Sequence, residues 1–194
     1  MGILQLTGIS QTAEREPNDY YATHPKAMYK LLEHETFNKN VWECACGEGN
    51  LSNVLKEKGF NVYSTDLIDR GYGDEHFDFI TSNIKFDGDI ITNPPFKYTN
   101  EFILKALESV EEGSKVAMFL KLNFLSGKKR YREIYLKYPP QRIYVFTGRI
   151  GCAKNNKPEL FKSGAMDYAW FIWKKGKYSP TELKWIEWEV KYEK

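Results

Sequence analysis

Apolar residues along the chain follow two patterns that alternate with each other. Short continuous apolar runs predict buried strands, whereas apolar positions spaced by three and four residues predict amphipathic helices. Strands that alternate with helices are typical of a parallel sheet with helices on both of its faces, so we expect an α/β fold. The predicted strands cover residues 40–45, 61–65, 89–92, 115–120, 142–146 and 168–173, and the predicted helices begin near residues 25, 50, 102 and 128.

The last two predicted strands differ from the others because no helical pattern separates them. We therefore expect them to form an antiparallel addition to the sheet. The segment between them, residues 148–167, is predicted to be a long loop without secondary structure of its own. Loops of this length in compact domains are usually functional.

Chain length and cysteine content limit the class of protein to which the chain belongs. The 194 residues suit one domain with a small addition: we expect a flexible tail over residues 1–18, one folded domain over residues 19–178 and an extension over residues 179–194. No apolar run approaches the ~18 residues of a membrane span, and the N-terminal segment lacks the pattern of a signal peptide. Three cysteines are too few for a disulfide scaffold, so we expect a reduced cytoplasmic protein without a membrane partner.

Charged residues are distributed unevenly, although the net charge is only +2. Residues 1–114 contain 10 Lys and Arg against 19 Asp and Glu, whereas residues 115–194 contain 18 against 7. A strongly basic half favours a face that contacts a polyanion such as nucleic acid. A solvated basic surface without a partner is the alternative.

A glycine turn, Glu43-Cys44-Ala45-Cys46-Gly47-Glu48-Gly49, follows the first predicted strand and precedes a helix. Glycines at this position let the backbone bend sharply and approach a ligand closely. Asp66 ends the next strand, 17 positions after Gly49, where a carboxylate accepts hydrogen bonds from ribose hydroxyls in doubly wound folds. The order strand, turn, helix, strand and acid therefore predicts a site for an adenosine-containing cofactor.

The residues around this turn favour a cationic cofactor over a dinucleotide. Ser52 stands where a dinucleotide site has its third glycine, and no basic residue lies near the turn to bind a pyrophosphate. Glu43 and Glu48 would repel phosphate but suit the sulfonium and ammonium groups of S-adenosylmethionine, which we therefore favour over NAD. A tight turn without a ligand is the remaining alternative. We expect no metal, because Cys44 and Cys46 lack a second pair of ligands at usable spacing.

The tetrapeptide Asn93-Pro94-Pro95-Phe96 directly follows a predicted buried strand, at the edge of the sheet where open α/β folds place their chemistry. Two prolines fix the backbone and remove two N–H donors. The Asn93 side-chain oxygen and the Pro94 carbonyl then remain as rigid acceptors for a planar amine such as that of adenine, with Phe96 able to stack on the base. A proline-rich turn that only ends the strand is the alternative.

Together, the pattern Glu-x-x-x-Gly-x-Gly, the acid Asp66 and Asn-Pro-Pro-Phe resemble the motifs of class I S-adenosylmethionine-dependent amino-methyltransferases. Over about residues 19–175, the chain is most similar to the small DNA adenine N6-methyltransferases of phages and bacterial mobile elements. The resemblance implies a Rossmann-like, mostly parallel seven-stranded sheet with helices on both faces, direct methyl transfer to the adenine amine, and base flipping. It also implies that the segment from Tyr20 to Pro25 closes over the methionine part of the cofactor and that Asp78 and Phe79 lie beside its adenine.

The candidate site residues fall into three groups. The candidate catalytic residues are Asn93, Pro94, Pro95 and Phe96. The candidate cofactor-binding residues are Tyr21, Thr23, Pro25, Glu43, Cys44, Ala45, Gly47, Gly49, Asp66, Leu67, Asp78, Phe79 and Asn93. The candidate nucleic-acid-binding residues are Lys97, Lys128, Lys129, Arg130, Arg149, Lys154 and Lys157.

Several acceptors are compatible with these motifs. We expect DNA to be the preferred acceptor and RNA adenine to be the first alternative. A protein-glutamine acceptor is less favoured because it does not need a basic half, and a catalytically silent nucleic-acid-binding module is less favoured because the cofactor turn and the tetrapeptide are intact. The chain has no room for a separate target-recognition domain, which leaves the target sequence open.

Overall fold

The computed structural model describes residues 21–154, 166–176 and 178–188. The predicted tail over residues 1–18 therefore lies outside the described residues. In chain order the elements are β1 (Tyr21–Thr23), α1 (Lys26–Leu32), β2 (Asn40–Glu43), α2 (Asn50–Glu57), β3 (Asn61–Asp66), β4 (Glu75–His76), β5 (Asp89–Thr92), α3 (Thr99–Ser109), β6 (Lys115–Lys121), α4 (Lys128–Arg130) with a π-helical turn (Tyr131–Tyr135), β7 (Arg142–Phe146), β8 (Cys152–Lys154), β9 (Tyr168–Lys174) and β10 (Glu182–Ile186).

The main sheet has the strand order β10-β7-β9-β6-β5-β2-β3-β4. All neighbours are parallel except that β9 runs antiparallel to both β6 and β7. The predicted α/β fold with a mostly parallel sheet is therefore confirmed. The expected antiparallel addition consists of β9 alone, since β7 has the same direction as the other strands.

The sheet contains eight strands among the described residues, not the expected seven. The additional strand at one edge is β10, which pairs in parallel with β7 from Glu182 opposite Arg142 to Ile186 opposite Phe146. Four of its five residues are exposed, so it lacks the apolar run by which the other strands were predicted. The sheet thus extends into residues 179–194, beyond the domain boundary that the sequence predicts at residue 178.

Alternating side chains along the strands build two apolar cores, one on each face of the sheet. On β9, for example, Phe171 and Trp173 pack into one core and Trp170 and Ile172 into the other. Buried residues of α1 and α2 cover one face, and those of α3 and the π-helical turn cover the other. In the described part of the chain, no helix is long and apolar enough to cross a membrane.

A separate two-stranded ribbon is formed by β1 and β8, which pair antiparallel with Thr23 opposite Cys152. Strand β8 lies within residues 148–167, so the expectation of a loop without secondary structure is wrong for residues 152–154. A strand of three residues has too few positions to show an apolar pattern in the sequence. It can still form, because its hydrogen bonds are made by the backbone and not by the side chains.

Glu35 holds the amino-terminal edge of the sheet together. Only 4% of its side chain is exposed, and its two oxygens accept hydrogen bonds from Lys115 Nζ at 2.6 Å, from Arg142 Nε at 2.7 Å and Nη2 at 3.0 Å, and from Tyr144 at 3.0 Å. Burial alone would raise the pKa of Glu35, but the hydrogen bonds from Arg142 and Lys115 hold it below its ordinary value. The stability that this carboxylate contributes is therefore present at neutral pH and is lost as the pH falls through its lowered pKa.

We expect Glu35→Ala to lower the free energy of unfolding by about 2–4 kcal/mol, because it leaves two half-buried cations without their partner. Urea denaturation at neutral pH measures this change. The matched control is Glu33→Ala, which removes an exposed ion pair with Lys30 at 2.9 Å and should cost less than ~1 kcal/mol. Equal losses in the two variants would contradict the role assigned to Glu35.

Candidate active site

A cavity of about 800 Å³ lies at the carboxyl edge of the parallel strands. The ends of four neighbouring strands contribute to it through Glu43 of β2, Asp66 of β3, Asn93 directly after β5, and Lys121 of β6. Since parallel strands end at the same edge of a sheet, side chains that are far apart in sequence meet here. Other lining residues come from β1, from the segment 66–80 and from residues 94–98.

The glycine turn positions the carboxylate of Asp66. The Gly47 N–H donates a hydrogen bond to one Asp66 oxygen at 2.8 Å, and the Ile68 N–H donates to the other at 3.0 Å. Gly49 has a φ of +81°, and a Cβ there would lie 2.3 Å from the Tyr72 ring, so only glycine fits this position. Asp66 is thereby fixed beside the cavity with lone pairs left to accept hydrogen bonds from a ligand.

Glu43 is a buried acid in the wall of the cavity. It is 2% exposed and accepts a hydrogen bond from Ser52, whose hydroxyl also lies 2.8 Å from that of Ser64. Burial raises the pKa of Glu43 to about 8, and the nearby charge of Asp66 adds to this effect. A cation in the cavity would favour the ionised form of Glu43.

Asn93 is oriented by residues from outside its own strand. Its Nδ2 donates hydrogen bonds to the Tyr21 carbonyl at 3.1 Å and to the Thr23 hydroxyl at 2.8 Å. Its Oδ1 is buried and has no hydrogen-bond partner. A buried acceptor without a partner is costly, so the arrangement suits a ligand that supplies a donor.

Most of the predicted cofactor-binding residues meet in this cavity, although Pro25, Gly47 and Gly49 do not line it. Pro25 is the N-cap of α1, and the two glycines shape the turn behind the cavity. All four residues of the Asn-Pro-Pro-Phe tetrapeptide line it. The other predicted residues in its wall are Tyr21, Thr23, Glu43, Cys44, Ala45, Asp66, Leu67, Asp78 and Phe79.

A second groove, of about 370 Å³, adjoins the cavity, and Phe96 and Lys97 line both. Lys128 and Lys129 lie along this groove with Phe124. Lys129 also forms a weak ion pair with Glu133 at 3.9 Å. Three lysines and two aromatic side chains, Phe96 and Phe124, thus line this groove, together with Arg130 and the acid Glu101.

The other predicted nucleic-acid contacts make further interactions. Arg130 lines the same groove; its Nη1 donates hydrogen bonds to the carbonyls of Asn123 and Phe124 at 3.2 and 3.3 Å, and its guanidinium lies 4.6 Å from the Phe124 ring centroid. Arg130 thus holds the loop before α4 through Nη1, and its contact with phosphate stays a prediction. Arg149 pairs with Asp167 at 3.7 Å. The side chain of Lys154 and all of Lys157 lie outside the described residues.

Two cationic residues of the cavity were not predicted. Arg70 lines it after Asp66, which corrects the expectation that no basic residue lies near the turn. Lys121 lines it at the end of β6. The position of Lys121 was predictable, because it ends a strand that neighbours β5, whereas Arg70 reaches the cavity from a loop whose path has no sequence pattern.

The two cysteines of the turn are buried beside the sheet. Burial raises the pKa of the Cys44 thiol well above its ordinary value and that of Cys46 to about 12. Both are therefore neutral thiols near neutral pH. Among the residues that the structure describes, no group of three or more His, Cys, Asp and Glu is placed to hold a metal ion.

No protein-family model matches the chain, and no curated protein sequence matches it. Its structure is nevertheless similar to several solved structures. A candidate class I S-adenosylmethionine-dependent methyltransferase from Listeria monocytogenes aligns with a TM-score of 0.58 at 14% identity, over 85% of this chain and 64% of that one. A candidate RNA methyltransferase from Pyrococcus horikoshii aligns with a TM-score of 0.53 at 17% identity, over 78% of this chain and 81% of that one.

A third similar structure is the type IIG restriction endonuclease BpuSI, which aligns with a TM-score of 0.53 at 13% identity. The alignment covers 80% of this chain but only 24% of that one. The chain thus spans less than two thirds of the Listeria protein and about a quarter of BpuSI. These likenesses establish that the chain has the Rossmann-like fold of class I S-adenosylmethionine-dependent methyltransferases, as the sequence resemblance implied.

Proposed function

We propose that the chain transfers a methyl group from S-adenosylmethionine to the exocyclic amine of adenine in nucleic acid, with DNA as the preferred acceptor. The observation that carries the proposal is the buried Asn93 Oδ1, which has no partner while Nδ2 is held by Tyr21 and Thr23. Because Nδ2 is held, the oxygen is the atom of this amide that remains to accept a hydrogen bond from a ligand.

The acids of the cavity support S-adenosylmethionine as the cofactor. Asp66 would accept the ribose hydroxyls, and Glu43 would lie close to the cationic part of the molecule. The Gly47 N–H is already donated to Asp66 at 2.8 Å, so it is not available for the pyrophosphate of a dinucleotide. When bound, S-adenosylmethionine supplies a methyl group that is activated by a positively charged sulfur. Leu67, with 59% of its surface exposed at the cavity, would cover the adenine face.

Two acceptors at the tetrapeptide would orient the amine that is methylated. The lone pair of the adenine amine is delocalised into the ring, which makes the amine a poor nucleophile. Hydrogen bonds from its two hydrogens to Asn93 Oδ1 and the Pro94 carbonyl would favour a pyramidal nitrogen and direct its lone pair. Holding the reacting atoms in this geometry supplies much of the rate enhancement.

The distribution of charge supports a nucleic-acid acceptor. Lys97, Lys128 and Lys129 line the groove that continues from Phe96, where the strand on either side of a flipped base would lie. A protein-glutamine acceptor also presents a planar amide, but it has no backbone charge for these lysines. The resemblance to small phage and bacterial DNA adenine methyltransferases supports DNA over RNA.

The test is transfer of radiolabelled methyl groups to long duplex DNA, total RNA and a protein mixture in parallel, followed by analysis of the labelled products. We expect N6-methyladenine from DNA. N6-methyladenine from RNA alone would change the acceptor but keep the chemistry. Label recovered only as methylated glutamine would overturn the proposal.

We expect Asn93→Ala to lower kcat for methylation of the nucleic acid that the unmodified protein methylates. The expected factor is on the order of 10²–10³, which is the usual effect of removing one group that stabilises a transition state. The affinity for S-adenosylmethionine, measured by calorimetry, should remain close to that of the unmodified protein. Asn61→Ala is the control, since Asn61 is an exposed asparagine at the opposite edge of the sheet. Normal turnover of Asn93→Ala would mean that the tetrapeptide is only a structural turn.

We expect the affinity for S-adenosylmethionine to rise with pH up to about 8. The free protein holds a proton on Glu43 below its pKa of about 8, and a bound cation favours the carboxylate, so binding must release that proton. Affinity should therefore increase by up to about tenfold per pH unit across this range. Calorimetry in two buffers that differ in ionisation enthalpy measures the proton release directly.

Two substitutions at the same turn separate this effect from general electrostatics. Glu43→Gln should bind with little pH dependence and without proton release. Glu48→Gln removes an exposed acid of the turn and should keep the pH dependence. A pH slope that survives in Glu43→Gln would show that another group is titrating.

A further inference from the structure

Lys121 lies directly over the ring that is proposed to receive the base. Its Nζ is 4.1 Å from the centroid of the Phe96 ring. Tyr21 is stacked near the same ring, with centroids 5.8 Å apart and planes inclined by 30°. All three residues line the cavity, so a planar acceptor that stacks on the face of Phe96 below the Lys121 ammonium must displace that ammonium.

Among the described residues, the Phe96 ring is the aromatic partner of the Lys121 ammonium. Although Glu43, Asp66 and Asp78 line the same cavity, none of them forms an ion pair with Lys121 within the described part of the chain. By contrast, Tyr21 belongs to β1, whose backbone is paired with β8 and also holds Asn93. Lysine carries a mobile point charge on a flexible stem, so it is the neighbour that can leave.

An uncharged acceptor that displaces this ammonium from the ring gains little binding free energy. A cation over an aromatic ring and a base stacked on an aromatic ring are stabilised to similar extents. A nucleotide differs from a free base because its phosphate offers the ammonium a stronger partner. The exchange is therefore more favourable when the incoming base carries a phosphate.

We propose that Lys121 is a specificity-determining residue that covers Phe96 until a phosphate of the target nucleotide draws its ammonium away. The site then opens more readily for adenine in nucleic acid than for an uncharged planar amide or a free nucleoside. This inference rests on the proposed function, because it assumes that Phe96 receives a base.

The position of Lys121 can be followed by NMR in protein labelled with ¹³C-lysine. Hydrogens that lie over a ring face are shifted upfield. Other lysines also have their ammonium groups over rings, namely Lys26, Lys56, Lys58, Lys97 and Lys115. The Lys121 CεH₂ signal is therefore identified as the upfield signal that is absent in Lys121→Arg. With the demethylated cofactor present, adenosine 5′-monophosphate should move this signal to the ordinary lysine position, whereas adenosine should not. Equal responses to both compounds, or no response to either, would overturn the inference.

Kinetics give a second test that does not depend on assignment of the signal. Lys121→Met should lower kcat/KM for an unmethylated oligonucleotide substrate by roughly tenfold, the equivalent of one charge-assisted hydrogen bond. It should leave kcat/KM for adenosine unchanged or raise it. Lys58→Met is the control, since the Lys58 ammonium lies 5.1 Å from the centroid of Tyr29, a ring outside the cavity, and both substrates should react normally.

The two proposals fail in different ways. If no nucleic acid is methylated, the proposed function is wrong and the role of Lys121 falls with it. If a nucleic acid is methylated but Lys121→Met changes kcat/KM for the oligonucleotide and for adenosine by the same factor, only the proposed role of Lys121 is wrong.

Discussion

The common direction of β2, β3, β5 and β6 is the constraint on which the candidate site depends. It brings Glu43, Asp66, Asn93 and Lys121 to one edge of the sheet. The opposite edge is held by Glu35, which binds Lys115 at the start of β6 and Arg142 at the start of β7. A buried ion pair contributes little net stability, but a different alignment of the strands that separated its partners would leave buried charges unpaired and would be costly. Strand alignment at one edge is thus maintained by charges at the other.

Sequence reasoning succeeded where a polar residue follows an apolar run. Asp66 and Asn93 both stand directly at strand ends, so the pattern that predicts the strand also places the residue. It failed for β1, β8 and β10, because strands of three residues or with exposed side chains have no apolar pattern. For Arg130, a charge count placed the residue on the groove but could not show that its guanidinium also binds carbonyls of its own loop.

The uneven distribution of charge along the chain corresponds to a difference in charge between the cofactor side and the acceptor side of the candidate site. The acidic half provides Glu43 and Asp66, which would contact the cationic cofactor, and the basic half provides Lys121, Lys128 and Lys129 on the side of the acceptor. The site would bind two ligands of opposite charge close together, and their reacting atoms must meet at Asn93. The division is partial, because Arg70 and Lys97 of the acidic half also line the cavity. Acids and lysines that come from different strand ends would still help each ligand to be attracted to its own side.

The two acceptors of the tetrapeptide are supported in different ways. The Pro94 carbonyl is fixed by the covalent rigidity of two consecutive prolines. The Asn93 oxygen is fixed because Nδ2 donates hydrogen bonds to Tyr21 and Thr23 of β1, which lie 72 and 70 residues earlier in the chain. Within the described residues, β1 is paired with β8. A disturbance of this ribbon would therefore leave one acceptor in place and free the other to rotate. Under the proposed function, the orientation of the amine would thus depend on a ribbon outside the main sheet. Strand β8 belongs to the segment 148–167, which the sequence predicts to contact the acceptor strand. Contacts of that kind would act on the same ribbon that holds Asn93, so binding of the strand and orientation of the amine would be mechanically linked.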